Sequence, residues 1–129
     1  MLSPSFIALD TVLSIHREQL LLFGGSDGIR DQGLLESAIA QPMGTFGGDY
    51  LHGDLYAMAA AYLFHLVQNH PFVDGNKRVG LIVAIVFLAG NSIETKVAHQ
   101  SLYDLVIEVA SGRLDKPAIA AQLQALYPK

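Results

Sequence analysis

The stretch His70-Pro71-Phe72-Val73-Asp74-Gly75-Asn76-Lys77-Arg78 puts a base, a carboxylate, a Gly-Asn turn and two adjacent cations between two strongly apolar segments. Upstream, Leu55, Met58, Ala59, Tyr62, Leu63, Leu66 and Val67 recur at helical spacing behind Asp54, which predicts a helix capped by that carboxylate and closed at His70-Pro71. Downstream, residues 79–88 are apolar nearly all round, the pattern of a helix buried at the centre of a fold, and Gly90-Asn91 stops it. The motif is therefore predicted to be a loop joining two core helices.

Working outward, Ser3-Pro4 reads as a hydroxyl N-cap followed by a proline at the first helical position. Phe6, Leu9, Leu13, His16 and Leu20 then give an amphipathic first helix that Gly24-Gly25 ends. Asp31 is placed to cap a second helix through Leu34, Leu35, Ala38 and Ile39, which Pro42 terminates. Residues 43–53 hold four glycines with Phe46, Tyr50 and His52, and read as a loop, either a docking flap or a plain linker. Two more helices are predicted over about residues 100–110 and 116–126, the second marked by Asp115 and Pro117. No period-two alternation and no internal repeat is evident. The expectation is an all-α, single-domain bundle over residues 1–129, with about six helices around a buried central helix.

Composition narrows the function classes. Of 129 residues, 51% are hydrophobic and mean hydropathy is +0.35, so the chain has either a large core or apolar surface for a partner. Acidic residues outnumber basic ones 12 to 8, and no more than two cations adjoin, which argues against direct nucleic-acid binding. There is no cysteine, so no disulfide and no thiolate metal site. The start of the chain lacks a signal-peptide layout, and the longest apolar stretch, residues 79–90, is too short to span a bilayer. A soluble, cytoplasmic protein with no membrane partner is expected.

Each residue of the motif has a chemical and a structural reading. Pro71 forces His70 off its helix, where an imidazole can accept a proton from a hydroxyl or simply cap the helix C-terminus. Phe72 is expected to anchor the loop in the core. Asp74 can cap the following helix, or offer hard oxygens to Mg²⁺, which binds one or two carboxylates together with substrate phosphates. Gly75-Asn76 permits a turn whose amides converge on an anion at the positive end of the next helix. Lys77 and Arg78 then stand in the first turn, where a cation costs about 0.3–1 kcal/mol. Two adjacent cations there make sense when an anion occupies the site, and Arg78 suits bidentate phosphate contact. The chain has neither a G-x-x-x-x-G-K-[ST] loop nor a G-x-G-x-x-G turn, so the common nucleotide folds do not apply.

Residues 70–78 resemble the signature of the Fic/Doc superfamily, H-x-F-x-[DE]-G-N-x-R, at every defined position. The run Gly28-Ile29-Arg30-Asp31-Gln32-Gly33-Leu34-Leu35-Glu36-Ser37-Ala38 resembles the N-terminal signature of the Doc (death-on-curing) branch. Lys77 replaces the second glycine of adenylylating Fic enzymes, and Leu81 stands where their second arginine would be. The resemblance therefore implies a Doc-type toxin of a type II toxin–antitoxin pair, a kinase that uses ATP to phosphorylate a threonine of elongation factor Tu and so arrests translation. AMP transfer and a non-catalytic binding module are the alternatives.

Carried onto this sequence, the resemblance implies His70 as general base and Asp74 as Mg²⁺ ligand. Gly75, Asn76 and Lys77 would bind the nucleotide phosphates and Arg78 the transferring group, with Arg30 and Glu36 as framework. It also implies a Phd-like antitoxin folding into an apolar groove. Ser14-Ile15-His16-Arg17-Glu18-Gln19 matches the self-inhibitory pattern [ST]-x-x-x-E-[GN] except at its last position, so inhibition is expected to come from outside the chain.

Overall fold

The computed structural model describes residues 3–96 and 100–129. Six α-helices dominate: α1 (Leu9–Phe23), α2 (Gln32–Ala40), α3 (Leu55–Gln68), α4 (Asn76–Gly90), α5 (Ser101–Ala110) and α6 (Lys116–Leu126). This is the all-α architecture read from the sequence. A 3₁₀ turn over Gln41–Met43 follows α2, with Pro42 inside it. The glycine-rich segment forms a small antiparallel hairpin of β1 (Thr45–Phe46) and β2 (Asp49–Tyr50), with Thr45 opposite Tyr50 and Phe46 opposite Asp49. Strands of two residues are too short to show alternation, which is why no periodicity pointed to them. Among the described residues no helix is long and apolar enough to cross a membrane.

Three helices begin as expected. Asp31, Asp54 and Asp115 accept hydrogen bonds from the amides of Leu34, Ala57 and Ala118 at 2.9, 2.8 and 3.0 Å. The first helix does not begin at Ser3-Pro4. It starts at Leu9 behind Ala8, without a side-chain cap. Tertiary contacts override the local signal, because the preceding segment is fastened elsewhere. Ser5 exchanges hydrogen bonds with the Asn91 side chain (2.8 and 3.0 Å), and the Ile7 amide donates to Tyr62 Oη at 2.9 Å. Phe6 packs between Tyr50 and Phe87, with ring centroids 5.7 and 6.0 Å away.

The centre of the fold is the α3–α4 pair. α3 buries ten of its 14 residues, more of its length than the expected central helix α4, whose Val86 is exposed. Gly80 sets their separation: a Cβ there would lie 3.0 Å from Val67 Cγ2 and 3.4 Å from the Leu63 carbonyl oxygen. α5 and α6 close the other side, with Val109, Ile119 and Leu123 fully buried. Together these contacts leave the α3–α4 junction as a rigid platform for the motif.

α6 is also fixed to α3 and to the loop after β2 by a nitrogen cluster. Lys116 Nζ lies 3.0 Å from His65 Nε2 and 3.3 Å from His52 Nε2, so the ammonium donates to two neutral imidazoles. Burial first, then the charge of Lys116 and the neighbouring His52, lowers the His65 pKa to about 4. Burial and Lys116 lower that of His52 as well. The folded protein thus binds fewer protons here than the unfolded chain. The stability contributed is complete above about pH 6.5, declines as pH falls, and levels off near pH 4. Thermal midpoints measured between pH 7.5 and 4 are expected to fall more steeply in the wild type than in His65→Gln, which keeps an acceptor for Lys116 without the titration.

Candidate active site

At the end of α3 the chain turns through Asn69 into His70, whose φ of 50° is unusual for a residue with a Cβ. Pro71 prevents the helix from continuing, and side chains from the α1–α2 region hold the exit. Arg30 Nε donates to the His70 carbonyl at 2.6 Å and Arg30 Nη2 to the Asn69 carbonyl at 2.8 Å, while Asn69 Nδ2 donates to the Leu34 carbonyl at 3.1 Å. The amides of Arg30 and Asp31 donate to the Pro71 carbonyl at 2.7 and 3.1 Å, and that of Val73 to the Gly28 carbonyl at 3.0 Å. Ile29 and Phe72 form an antiparallel bridge between the two stretches. The two sequence signatures are thus one structural unit. Arg30 is its framework, and Glu36 accepts from Gln32 on an exposed helix face.

The inner side of the loop is built on Phe72 and Asn76. Phe72 is fully buried, as its anchoring role requires. Asn76 is 6% exposed, and its side chain accepts from the Phe72 amide at 2.9 Å and donates to the Phe72 carbonyl at 3.0 Å. Its amide group is therefore committed to the loop, leaving its backbone N–H for a ligand. His16, a residue the sequence marked only as one position on the apolar face of α1, completes this layer. It is 4% exposed, stacks on Phe72 at 3.8 Å between centroids, and lies with Nε2 2.9 Å from the Asp74 carbonyl oxygen. Only its periodic placement facing inward could have pointed to it.

The outer side carries the exposed chemistry. Asp74 does not cap α4; the cap is Gly75, at φ 84°, a left-handed conformation that glycine adopts without a Cβ clash. Asp74 instead turns its carboxylate to two loop amides, with Oδ1 3.0 Å from the Gly75 nitrogen and Oδ2 3.2 Å from that of Ser26. α4 consequently starts bare. Every other helix among the described residues has either an Asp cap (α2, α3, α6) or an acid in its first turn, Asp10 in α1 and Asp104 in α5. α4 has neither, and carries Lys77 and Arg78 there. The Arg78 guanidinium sits 4.6 Å from the centroid of Phe23.

His70, Asp74, Gly75, Asn76, Lys77 and Arg78 all line one cleft of about 640 Å³. An apolar part of its wall comes from Val67, Leu81, Tyr103, Val106 and Ile107. Glu18 is exposed, and the one ion pair among the described residues joins Arg113 to Glu108, so Glu18 does not neutralise Arg78.

The family model described as the Fic/DOC family matches residues 6–88, from the segment before α1 to the last turns of α4. The chain belongs to the Fic/DOC family. It is 39% identical over 105 residues to Toxin Doc of Mycolicibacterium smegmatis, covering 80% of this chain and 81% of that protein. It is 28% identical over 121 residues to Protein kinase doc of Escherichia phage P1, covering 94% of each.

The cleft pairs one imidazole with one carboxylate and a positive helix end. No group of three or more His, Cys, Asp or Glu that could hold a metal is found among the described residues, so an all-protein cage is absent. Asp74 suits a different arrangement. Each carboxylate oxygen accepts one amide hydrogen and keeps a lone pair, which fits Mg²⁺ shared with phosphate oxygens and water. The whole arrangement relies on the Asn76–Phe72 clasp. Asn76→Ala leaves the buried Phe72 amide without its partner, and is expected to cost about 1–3 kcal/mol in urea unfolding.

Proposed function

We propose that this Fic/DOC protein is a Doc-type toxin that transfers the γ-phosphate of ATP to a hydroxyl side chain of a protein, a threonine of elongation factor Tu, and so inhibits translation in the cytoplasm. The observation that carries the reading is the bare, doubly cationic start of α4 in the same cleft as His70. A helix start with no acid in its cap or first turn, backed by a lysine and an arginine, is matched to a polyphosphate rather than to a neutral ligand. The names of the two relatives, a toxin and a protein kinase, support the same reading.

In this account the amides of residues 76–78, with Lys77 and Arg78, hold the phosphates, and the nucleobase lies against the apolar wall that includes Tyr103. Asp74 would hold Mg²⁺, which when bound neutralises charge on the polyphosphate. His70 accepts the proton of the target hydroxyl as its oxygen bonds to the γ-phosphorus. The bond from that phosphorus to the β–γ bridging oxygen breaks, and ADP leaves. Arg78 stabilises the negative charge that shifts during transfer, which is what this chemistry mainly requires of a protein. Leu81, apolar and in the cleft wall, offers no second cation, which favours phosphate over AMP transfer. A Phd-like antitoxin is the expected partner, and Leu21, Leu22 and Phe23, 82%, 64% and 61% exposed at the end of α1, with Phe23 beside Arg78, are apolar surface for it.

Intact-mass spectrometry of elongation factor Tu after incubation with this protein, Mg²⁺ and ATP tests the proposal. A gain of one phosphate is expected, slowed about 10²–10⁴-fold by His70→Ala with the fold intact. Asp74→Asn is expected to raise the Mg²⁺ concentration needed for half-maximal rate. A gain of one AMP, or full activity in His70→Ala, would overturn the mechanism.

A further inference from the structure

We propose that His16 is a positioning residue of the site: its Nε2–H holds the Asp74 carbonyl and thereby sets the direction of the Asp74 carboxylate and the start of α4. The proposal rests on the reading of Asp74 and the α4 amides as the nucleotide site.

A carbonyl oxygen only accepts hydrogen bonds, so at 2.9 Å from Asp74 O the Nε2 of His16 must carry the proton. The ring has little freedom to leave. It is 4% exposed and lies nearly parallel to Phe72, with an interplanar angle of 9°. The Asp74 carbonyl and the Gly75 amide belong to one planar trans peptide unit and point in opposite directions. Drawing the carbonyl toward α1 therefore turns the Gly75 N–H away from α1. That N–H donates to Asp74 Oδ1 at 3.0 Å, while Ser26 N–H holds Oδ2 at 3.2 Å. A single donor on α1 thus fixes a peptide plane, and that plane fixes the carboxylate.

The same peptide leads into Gly75, whose left-handed φ of 84° directs the amides of residues 76–78 along the start of α4. His16 also borders Gly75: a Cβ there would stand 3.6 Å from His16 Cδ2, ordinary contact distance. Without the donor, the 74–75 peptide has no partner on its carbonyl side and can rotate, moving the carboxylate and the amides together.

Two variants of the full chain separate this role from mere packing. His16→Phe keeps the ring on Phe72 and removes the donor; His16→Gln keeps an N–H donor and removes the ring. Hydrogen exchange of the Gly75 amide and calorimetric affinity for Mg²⁺-ATP are read on both. In His16→Phe, exchange is expected to speed and affinity to fall, each by about tenfold, the size of one lost hydrogen bond. His16→Gln is expected to keep both near wild type. Wild-type exchange and affinity in His16→Phe, or equal losses in the two variants, would overturn the proposal.

If His16→Phe does not fold, ¹⁵N NMR of the wild-type ring decides: a protonated Nε2 upholds the proposal and a bare Nε2 ends it. Should the wild type itself not bind Mg²⁺-ATP, the phosphotransfer reading fails, while Gly75 exchange still tests His16.

Discussion

The side chain of Asn76 closes on the backbone of Phe72, and much of the site follows from that one clasp. An asparagine at the start of a helix would ordinarily be available to cap it. Here its amide is turned inward, the cap falls to Gly75, and among the described residues α4 has neither a side-chain cap nor an acid in its first turn. The cost of leaving a helix start bare is accepted in one helix, while its five neighbours each have an acid at or near the cap. A local rule broken once, in the cleft that also holds His70, is what a site prepared for an anion looks like.

The loop is also braced from outside. Arg30 ties the carbonyls of Asn69 and His70 just past α3, and residues 28–31 pair with residues 71–73. Such double bracing lets His70 keep a left-handed backbone that a free loop would relax, and it keeps His70 in the lining of the cleft. The pairing explains why two distant sequence segments carry the family resemblance: each is the other's support. The candidate site is thereby built on the ends of packed helices rather than on a mobile loop.

Much of this was legible in the sequence, for identifiable reasons. Asp31, Asp54 and Asp115 each precede an apolar periodicity and do cap their helices, each accepting from the amide three residues on. Ser3-Pro4 carries an equally good local signal and misleads, since Phe6 gains more by packing between Tyr50 and Phe87 than by joining α1. The six motif residues meet in one cleft as their adjacency suggested. Their division of labour was hidden, because spacing alone does not say that Asn76 faces inward while Asp74 faces Ser26. His16 was invisible as a site residue for a similar reason: its partner is a backbone carbonyl 58 residues away, which leaves no trace in side-chain pattern.

The central claim is that the start of α4 is made for phosphate. Calorimetric titration of the wild-type protein with ATP and with adenosine, in Mg²⁺ at low and at moderate salt, tests it most directly. The account predicts that ATP binds far more tightly than adenosine, and that the difference shrinks as salt rises. Equal affinity for the two, or no binding of ATP at either salt concentration, would contradict it.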